Sequence, residues 1–307
     1  MKQAKRFIEI SLVFILLITA LCVCTACVNS TKMETYGNAE KYLIGSQSYD
    51  VADITTLNID WKMGKVVLVE DPNATGITVV EDNTLPDIKK VHSYYHDGIL
   101  DIKFWQSGFR STVLDKDKIL TVTYCSVGKL NVVLTSGTLY AEKLNAENTS
   151  IIMTSGDIDI EDLKGNTIEL TMTSGDLDID SIECNTFNHK MTSGNCDIDN
   201  IKAKSITMKQ SSGNITVNKL DVDTFSSKST SGDLNLSITR ADNIDVFMTS
   251  GDAQIGIPSN GATVTVAKTS GSFKSNLDYV IKSGQYVFGE GQCAISIDMT
   301  SGSVRIK

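Results

Sequence analysis

Residues 154–175 read Thr-Ser-Gly-Asp-Ile-Asp-Ile-Glu-Asp-Leu-Lys-Gly-Asn-Thr-Ile-Glu-Leu-Thr-Met-Thr-Ser-Gly, so one Thr-Ser-Gly triplet follows another after 19 residues. The step stays at 19 residues from Gly137 to Gly251 and then becomes 20 and 31, with Ser211 in place of one threonine. The glycines of this column are Gly137, Gly156, Gly175, Gly194, Gly213, Gly232, Gly251, Gly271 and Gly302. A fixed period of this length is the signature of stacked structural repeats.

Apolar residues recur at fixed positions within each unit. With the threonine as position 1, the quoted unit has Ile158 and Ile160 at positions 5 and 7, Leu163 at position 10, and Ile168 and Leu170 at positions 15 and 17. A spacing of two is the strand period, and two short strands cannot enclose a core alone. Stacked units can, since each strand pairs in parallel with its counterpart about 4.8 Å away. We therefore predict an all-β, single-domain parallel β-solenoid of 19-residue coils, right-handed by the crossover rule.

The Thr-Ser-Gly triplet lies between two strands and is predicted to form a corner of each coil. Glycine permits a positive φ or a close approach of two backbones at such a corner. The serine continues the inward parity of positions 15 and 17, so it is expected to stack inside the bend and to form hydrogen bonds along the axis. Many equivalent serines argue against a nucleophile, because catalysis needs one serine activated by one base.

The rest of the chain divides around this repeat. Residues 50–134 have strand-like segments with less regularity and are interpreted as opening coils, and residues 135–307 form the regular solenoid. An insertion at 272–299 is expected to cover the last coil, because an exposed strand edge invites pairing with other chains. Residues 28–49 are polar and small, which is typical of a tether, and residues 1–27 precede it as a signal peptide or anchor.

The N-terminus has the features of an export signal. Lys2, Lys5 and Arg6 precede an apolar run over 10–26, and Ala26-Cys27 resembles a lipobox, although Cys24 fits that motif poorly. Three alternatives remain open: lipidation at Cys27, an uncleaved membrane helix, or a cleaved secretory signal. All three place the bulk of the protein outside the cytoplasm, and the first two anchor it at the outer face of the membrane.

Composition excludes several classes of function. The formal net charge is −9 and the pI is about 4.9, so a nucleic-acid partner is not expected. Cys125, Cys184, Cys196 and Cys293 have no paired metal-ligand spacing. A disulfide between Cys184 and Cys196 stays open as an alternative. His189 occupies an inward position and is expected to be a hydrogen-bonded core or corner histidine.

Acidic residues form columns on the outward positions 4, 6 and 8. Carboxylates stacked at about 4.8 Å repel one another, which would raise their pKa values or recruit a cation such as Ca²⁺. The alternative is a solvated polar face, favoured here because a flat strand has no turn carbonyls to complete a coordination shell. No metal or other cofactor is therefore predicted. The weak metal candidates are Asp157, Asp159, Asp176, Asp178, Asp197 and Asp199.

The tandem units resemble a known bacterial family. The Thr-Ser-Gly-Asp-Ile/Leu-Asp-Ile repeats, and the close from Gly289-Glu290-Gly291 through Ile295-Ser296-Ile297 to Thr300-Ser301-Gly302, are similar to the putative-adhesin family DUF4097. The resemblance covers residues 50–307. It implies a β-solenoid on an envelope protein and no established catalytic residues.

Three functions are then compatible with the sequence. The first is a non-enzymatic, envelope-anchored surface protein whose solenoid binds a wall polymer, a protein or a host surface. The second is an extracytoplasmic sensor or modulator of an envelope-stress system. The third, a solenoid carbohydrate-active enzyme, is disfavoured because glycosidases need two carboxylates in distinct environments, whereas these acids are equivalent.

Overall fold

The computed structural model describes residues 34–51, 53–82, 84–111 and 116–307, which form a single sheet of strands with two short 3₁₀ helices, Ala39–Lys41 and Asp87–Lys89. Within these ranges, no helix combines the length and apolarity that crossing a membrane requires. The strands are β1 Leu43–Ile44, β2 Gln47–Tyr49, β3 Asp53–Trp61, β4 Lys65–Glu70, β5 Ile77–Glu81, β6 His92–His96, β7 Ile99–Lys103, β8 Ile119–Tyr124, β9 Ser126–Lys164, β10 Thr167–Ser174, β11 Leu177–Glu183, β12 Thr186–Ser193, β13 Cys196–Ser212, β14 Ile215–Ser229, β15 Leu234–Met248, β16 Ala253–Gly256, β17 Gly261–Lys268, β18 Ser272–Ser275, β19 Val280–Lys282, β20 Gln285–Gly289, β21 Cys293–Met299 and β22 Ser303–Ile306.

The central coils pair in parallel with a register of one repeat. Leu177 of β11 lies opposite Ile158 of β9 on one side and Cys196 of β13 on the other. The second strand of each coil follows the same rule, since Ile168 of β10 lies between Thr149 and Phe187. The predicted all-β parallel solenoid is confirmed, and its right-handed winding stays a prediction.

The core is built from the apolar columns. Ile158, Ile160 and Ile168 are each at most 1% exposed, and the equivalent residues of neighbouring coils are buried with them. Each coil therefore contributes a layer that contacts the layers above and below. Burying the core column of one coil removes several Ile or Leu side chains from water, each worth about 1.5–3 kcal/mol. This stacking is what two short strands alone could not achieve.

The glycine column forms a corner at which successive backbones touch. All nine glycines have positive φ, for example +119° at Gly175. A Cβ on Gly175 would overlap the carbonyl oxygen of Gly156 in the preceding coil, and the same relation recurs along the column. Gly64, which has a φ of +96°, heads the column before Gly137. Glycine is required here for two reasons, since both the conformation and the space exclude a side chain.

The serines of the triplet do not lie inside the bend, as the sequence suggested. Ser155 and Ser193 are exposed and Ser174 is half-buried, so the corner turns them toward solvent. Several of them do form hydrogen bonds along the axis, but to main-chain oxygens: Ser250 Oγ donates to Thr230 O of the adjacent coil at 3.2 Å. The inward parity of the preceding strand ends at the corner because the backbone changes direction there.

The order of coils in space differs from their order in the chain at the N-terminal end. β3 lies between β7 and the first part of β9, and β4 lies between β8 and β9. The chain thus forms one coil, adds an outer coil, and returns to build the solenoid on the inner side of the first. Antiparallel strands then cover the outer coil, with β6 on β7 and β5 on β8.

A matching exchange occurs at the C-terminal end. β21 lies between β15 and β17, and β22 lies between β16 and β18, so the last strands in the chain are not the last in space. The segment between β18 and β21 contains the antiparallel pair β19–β20, and β20 pairs with the outer edge of β17. Phe288 of β20 is 1% exposed. This pair therefore covers part of the terminal edge.

Candidate binding surface

The position-4 column of acids and amides holds the corner together. The carboxylate of Asp157 accepts a hydrogen bond from the backbone N–H of Asp176 at 3.3 Å, and the Asp176 carboxylate accepts one from the N–H of Asn195 at 3.0 Å. The pattern continues to Ser303, whose N–H donates to Asp252 at 2.8 Å. Each side chain accepts a hydrogen bond from a backbone N–H of the next coil. Without this bond, that N–H at the start of a strand would have no partner. Asp157 and Asp176 are thus structural.

The position-6 carboxylates form the acidic ladder, which we define as Asp159, Asp178 and Asp197. They are exposed, and Asp178 lies directly opposite the other two in the parallel register. Burial and the negative charges of Asp159 and Asp197 raise the pKa of Asp178. Asp199, at position 8, instead accepts a hydrogen bond from Asn218 Nδ2 at 2.7 Å. Among the residues that the structure describes, no three carboxylate, imidazole or thiol side chains are placed to hold a metal ion.

We expect the acidic ladder to respond to ionic strength and not to Ca²⁺ in particular. Thermal unfolding in CaCl₂ and in NaCl of matched ionic strength should give nearly equal midpoints, because both salts then screen the repulsion between the carboxylates to the same extent. Asp178→Asn should raise stability slightly in low salt by removing the central charge. A specific site would instead add RT ln(1 + [L]/Kd), about 2.7 kcal/mol at a hundredfold excess of Ca²⁺ over Kd. Such a rise in CaCl₂ that Asp178→Asn removes would contradict the expectation.

A second surface column carries the opposite charge, and we call it the lysine column: Lys190, Lys209 and Lys228. These side chains occupy position 18 of three successive coils, are exposed, and lie opposite one another on β12, β13 and β14. They line a shallow groove of about 350 Å³ together with hydroxyl side chains. The sequence interpretation missed this column, although its 19-residue spacing was visible there.

His189 is the unusual member of the core. It is fully buried between Leu170 and Met208 in the parallel register, and its ring stacks on Phe187 with centroids 6.4 Å apart. The expectation of a hydrogen-bonded core histidine is wrong on one count, because neither ring nitrogen has a partner among the described residues. Burial among apolar side chains lowers the pKa of His189 to about 4.

His189 should make stability fall in mild acid. Above pH 6.5 the imidazole is neutral in both states, whereas between pH 6.5 and about 4 only the unfolded chain binds its proton. The free energy of unfolding should therefore lose up to about 3 kcal/mol over that range through this one group. Carboxylates titrate there too, so the measurement is the difference between wild type and His189→Leu in urea unfolding at pH 7 and pH 4.5. Parallel losses in both proteins would show that His189 is not the cause.

Cys125, Cys184, Cys196 and Cys293 are free thiols in the described part of the chain. Cys184 and Cys196 are free, and no disulfide joins them. Burial raises the pKa of the Cys184 thiol to about 12, so it is not a reactive thiolate. Cys27, the predicted lipidation site, lies outside the described residues.

Comparison with known proteins finds a matching family and solved structures of similar fold. The family described as Toastrack DUF4097 matches residues 114–183 and 166–307. A putative adhesin from Parabacteroides distasonis ATCC 8503 superposes with a TM-score of 0.52 at 13% identity, over 86% of this chain and 97% of that one. A putative adhesin from Bacteroides fragilis NCTC 9343 gives a TM-score of 0.49 at 11% identity, with the same two coverages. No curated protein matches the chain significantly.

The family match and the geometry agree on one architecture. The matched residues extend over more than half of the chain and include the nine glycines of the corner column from Gly137 to Gly302. The likeness to solved structures lies below 25% identity and so bears on fold alone. The protein belongs to the DUF4097 family, the Toastrack family.

Proposed function

We propose that this protein is a non-enzymatic surface protein of the bacterial envelope that presents a rigid solenoid to a binding partner. The observation that carries the proposal is the regular outward array, in which exposed side chains repeat coil after coil in strict register. Such an array offers many equivalent contacts to an extended partner. A fixed backbone also limits the ordering cost of binding, since the protein side of the interface is already in place.

The chemistry of the described residues supports binding over catalysis. The acidic ladder lies on an open strand face, whereas glycosidases place two carboxylates on either side of a bound substrate. His189, a candidate base by residue type, is fully buried in the core. The superposed structure from Parabacteroides distasonis is described as a putative adhesin, which agrees with a surface role.

Exposure on the cell is tested with an amine reagent that cannot cross membranes. Intact cells that make the full-length protein are expected to label at the lysine column, and lysed cells should label to the same extent. A cytoplasmic protein of the same cells serves as the control for membrane integrity. Labelling confined to lysed cells would contradict the proposed surface location. If deletion of the gene changed envelope-stress transcription but did not reduce binding of the cells to a partner surface, the sensor alternative would be favoured.

The anchor is tested at Cys27. Wild-type protein is expected to incorporate a fatty-acid analogue, and Cys27→Ser should abolish that labelling and leave the precursor unprocessed. Cys24→Ser is the matched control and should be labelled normally. Wild-type protein that keeps Met1 and takes up no lipid would overturn the lipoprotein proposal in favour of the uncleaved helix.

A further inference from the structure

The lysine column is flanked on the same face by a column of hydroxyls. Thr192, Ser211 and Thr230 each lie two residues beyond a lysine, so they point to the same side of the sheet. The groove crosses four coils, which is about 14 Å along the axis at the spacing of paired strands. It is lined by Thr171, Met172, Thr173, Lys190, Met191, Thr192, Lys209, Gln210, Ser211, Lys228 and Thr230.

No acidic side chain among the described residues forms an ion pair with the lysine column. Two other cations of the solenoid are paired, Lys164 with Asp162 at 2.9 Å and Arg240 with Asp223 at 2.8 Å. The outward residues on the other flank of the lysine column are neutral as well: Asn188, Thr207 and Ser226. A chain of net charge −9 thus holds three adjacent cations that repel one another and lack a counter-charge. A bound polyanion would supply it.

The residue types in the groove limit the chemical class of the anion that it could bind. All three cations are lysines, which bind phosphate as compact point charges and lack the fork by which arginine pairs with carboxylates and phosphates alike. No aromatic side chain lines the groove itself, and the exposed Phe247, opposite Lys228 in the next coil, offers a single stacking surface at one end of the lysine column. The hydroxyl column offers neutral donors and acceptors along the same line. An extended polymer of phosphodiester groups without bases fits these features.

We propose that Lys190, Lys209 and Lys228 bind successive phosphates of a linear phosphodiester polymer that lies along the solenoid axis. The hydroxyls of Thr192, Ser211 and Thr230 contact the units between the phosphates. This inference rests on the proposed function, since it names the chemistry of the partner that the outward array binds.

The test measures binding of synthetic poly(glycerol phosphate), long enough to span the groove, to the full-length protein in detergent. Three lysine–phosphate contacts should give a slope of log K against log salt near about −2, by the counterion-release rule for single polyphosphate strands. Each single Lys→Gln change in the column should reduce that slope by about 0.7. The triple variant K190Q/K209Q/K228Q should lose at least about tenfold in affinity at low salt.

The matched control is K202Q/K204Q/K219Q, which changes the net charge by the same amount on exposed lysines of the same coils as Lys209 and Lys228 but outside the groove. It should bind like wild type. Equal loss in both triple variants would overturn the proposal, as would glycerol phosphate monomer binding as tightly as the polymer. If polygalacturonate bound as tightly as the phosphate polymer, the assignment of phosphate as the ligand class would be wrong. If the protein on intact cells reacts with the amine reagent but the purified protein does not bind the polymer, this inference is wrong and the proposed surface function stands.

Discussion

Gly175→Ala is expected to destabilise the solenoid by at least about 3 kcal/mol. The added Cβ would overlap the carbonyl oxygen of Gly156, and alanine would also have to adopt a φ of +119°. Neither problem can be relieved by a side-chain rotation, because the overlapping atom belongs to the backbone of the neighbouring coil. Urea unfolding at neutral pH measures the loss.

Gly284→Ala separates the two causes. Gly284 has a φ of +80°, and a Cβ there would meet nothing within 4 Å. Its substitution should therefore cost only the conformational strain, about 1–2 kcal/mol. If the two variants lose the same stability, the close approach of successive glycines contributes nothing, and the explanation of the corner column is wrong.

Lys118→Met is the second change with a large expected effect, about 3–5 kcal/mol. Lys118 and Glu81 are both buried, and Lys118 Nζ lies 2.7 Å from Glu81 Oε1. The same ammonium donates to Lys89 O at 2.7 Å and to Phe104 O, and it lies over the rings of Trp61 and Phe104 at 4.7 and 4.2 Å. Its loss would leave the Glu81 carboxylate buried without a cation, near the N-terminal end of the solenoid.

A double-mutant cycle checks this ion pair. Glu81→Gln should also be strongly destabilising, because it leaves the Lys118 ammonium buried with no counter-charge. Glu81 Oε2 accepts the backbone N–H of Val91 at 2.8 Å, so part of its loss reflects that hydrogen bond. The double variant Glu81→Gln/Lys118→Met should lose much less than the sum of the single losses. Additive losses would mean that the two side chains do not depend on each other.

The sequence could predict those features that repeat. The 19-residue period and the apolar columns depend on contacts between a residue and its equivalent one coil away, so each unit carries the same signal. Both the parallel solenoid and the positive φ at Gly175 follow from that signal. The lysine column was equally readable, because Lys190, Lys209 and Lys228 obey the same period.

Other features of the surface needed coordinates. Asp157 looks like any exposed acid in the sequence, yet its carboxylate accepts the backbone N–H of Asp176. Ser155 follows the inward parity on paper, but the corner breaks that parity and exposes it. In both cases the deciding factor is the change of backbone direction at the glycine, which no alternation pattern contains.

The ends of the solenoid were decided by tertiary structure alone. Lys118 lies in a polar segment that reads as solvated, and its partners Glu81 and Phe104 come from other strands and turns. Likewise, β21 inserts between β15 and β17, although nothing in its alternation distinguishes it from a strand that stacks in chain order. An open parallel edge can pair with any strand of matching alternation. Local periodicity therefore determines the structure of each coil but not which coil lies beside it. Which coil neighbours which at the two ends depends on long-range pairing, and that is set only when the whole chain has folded.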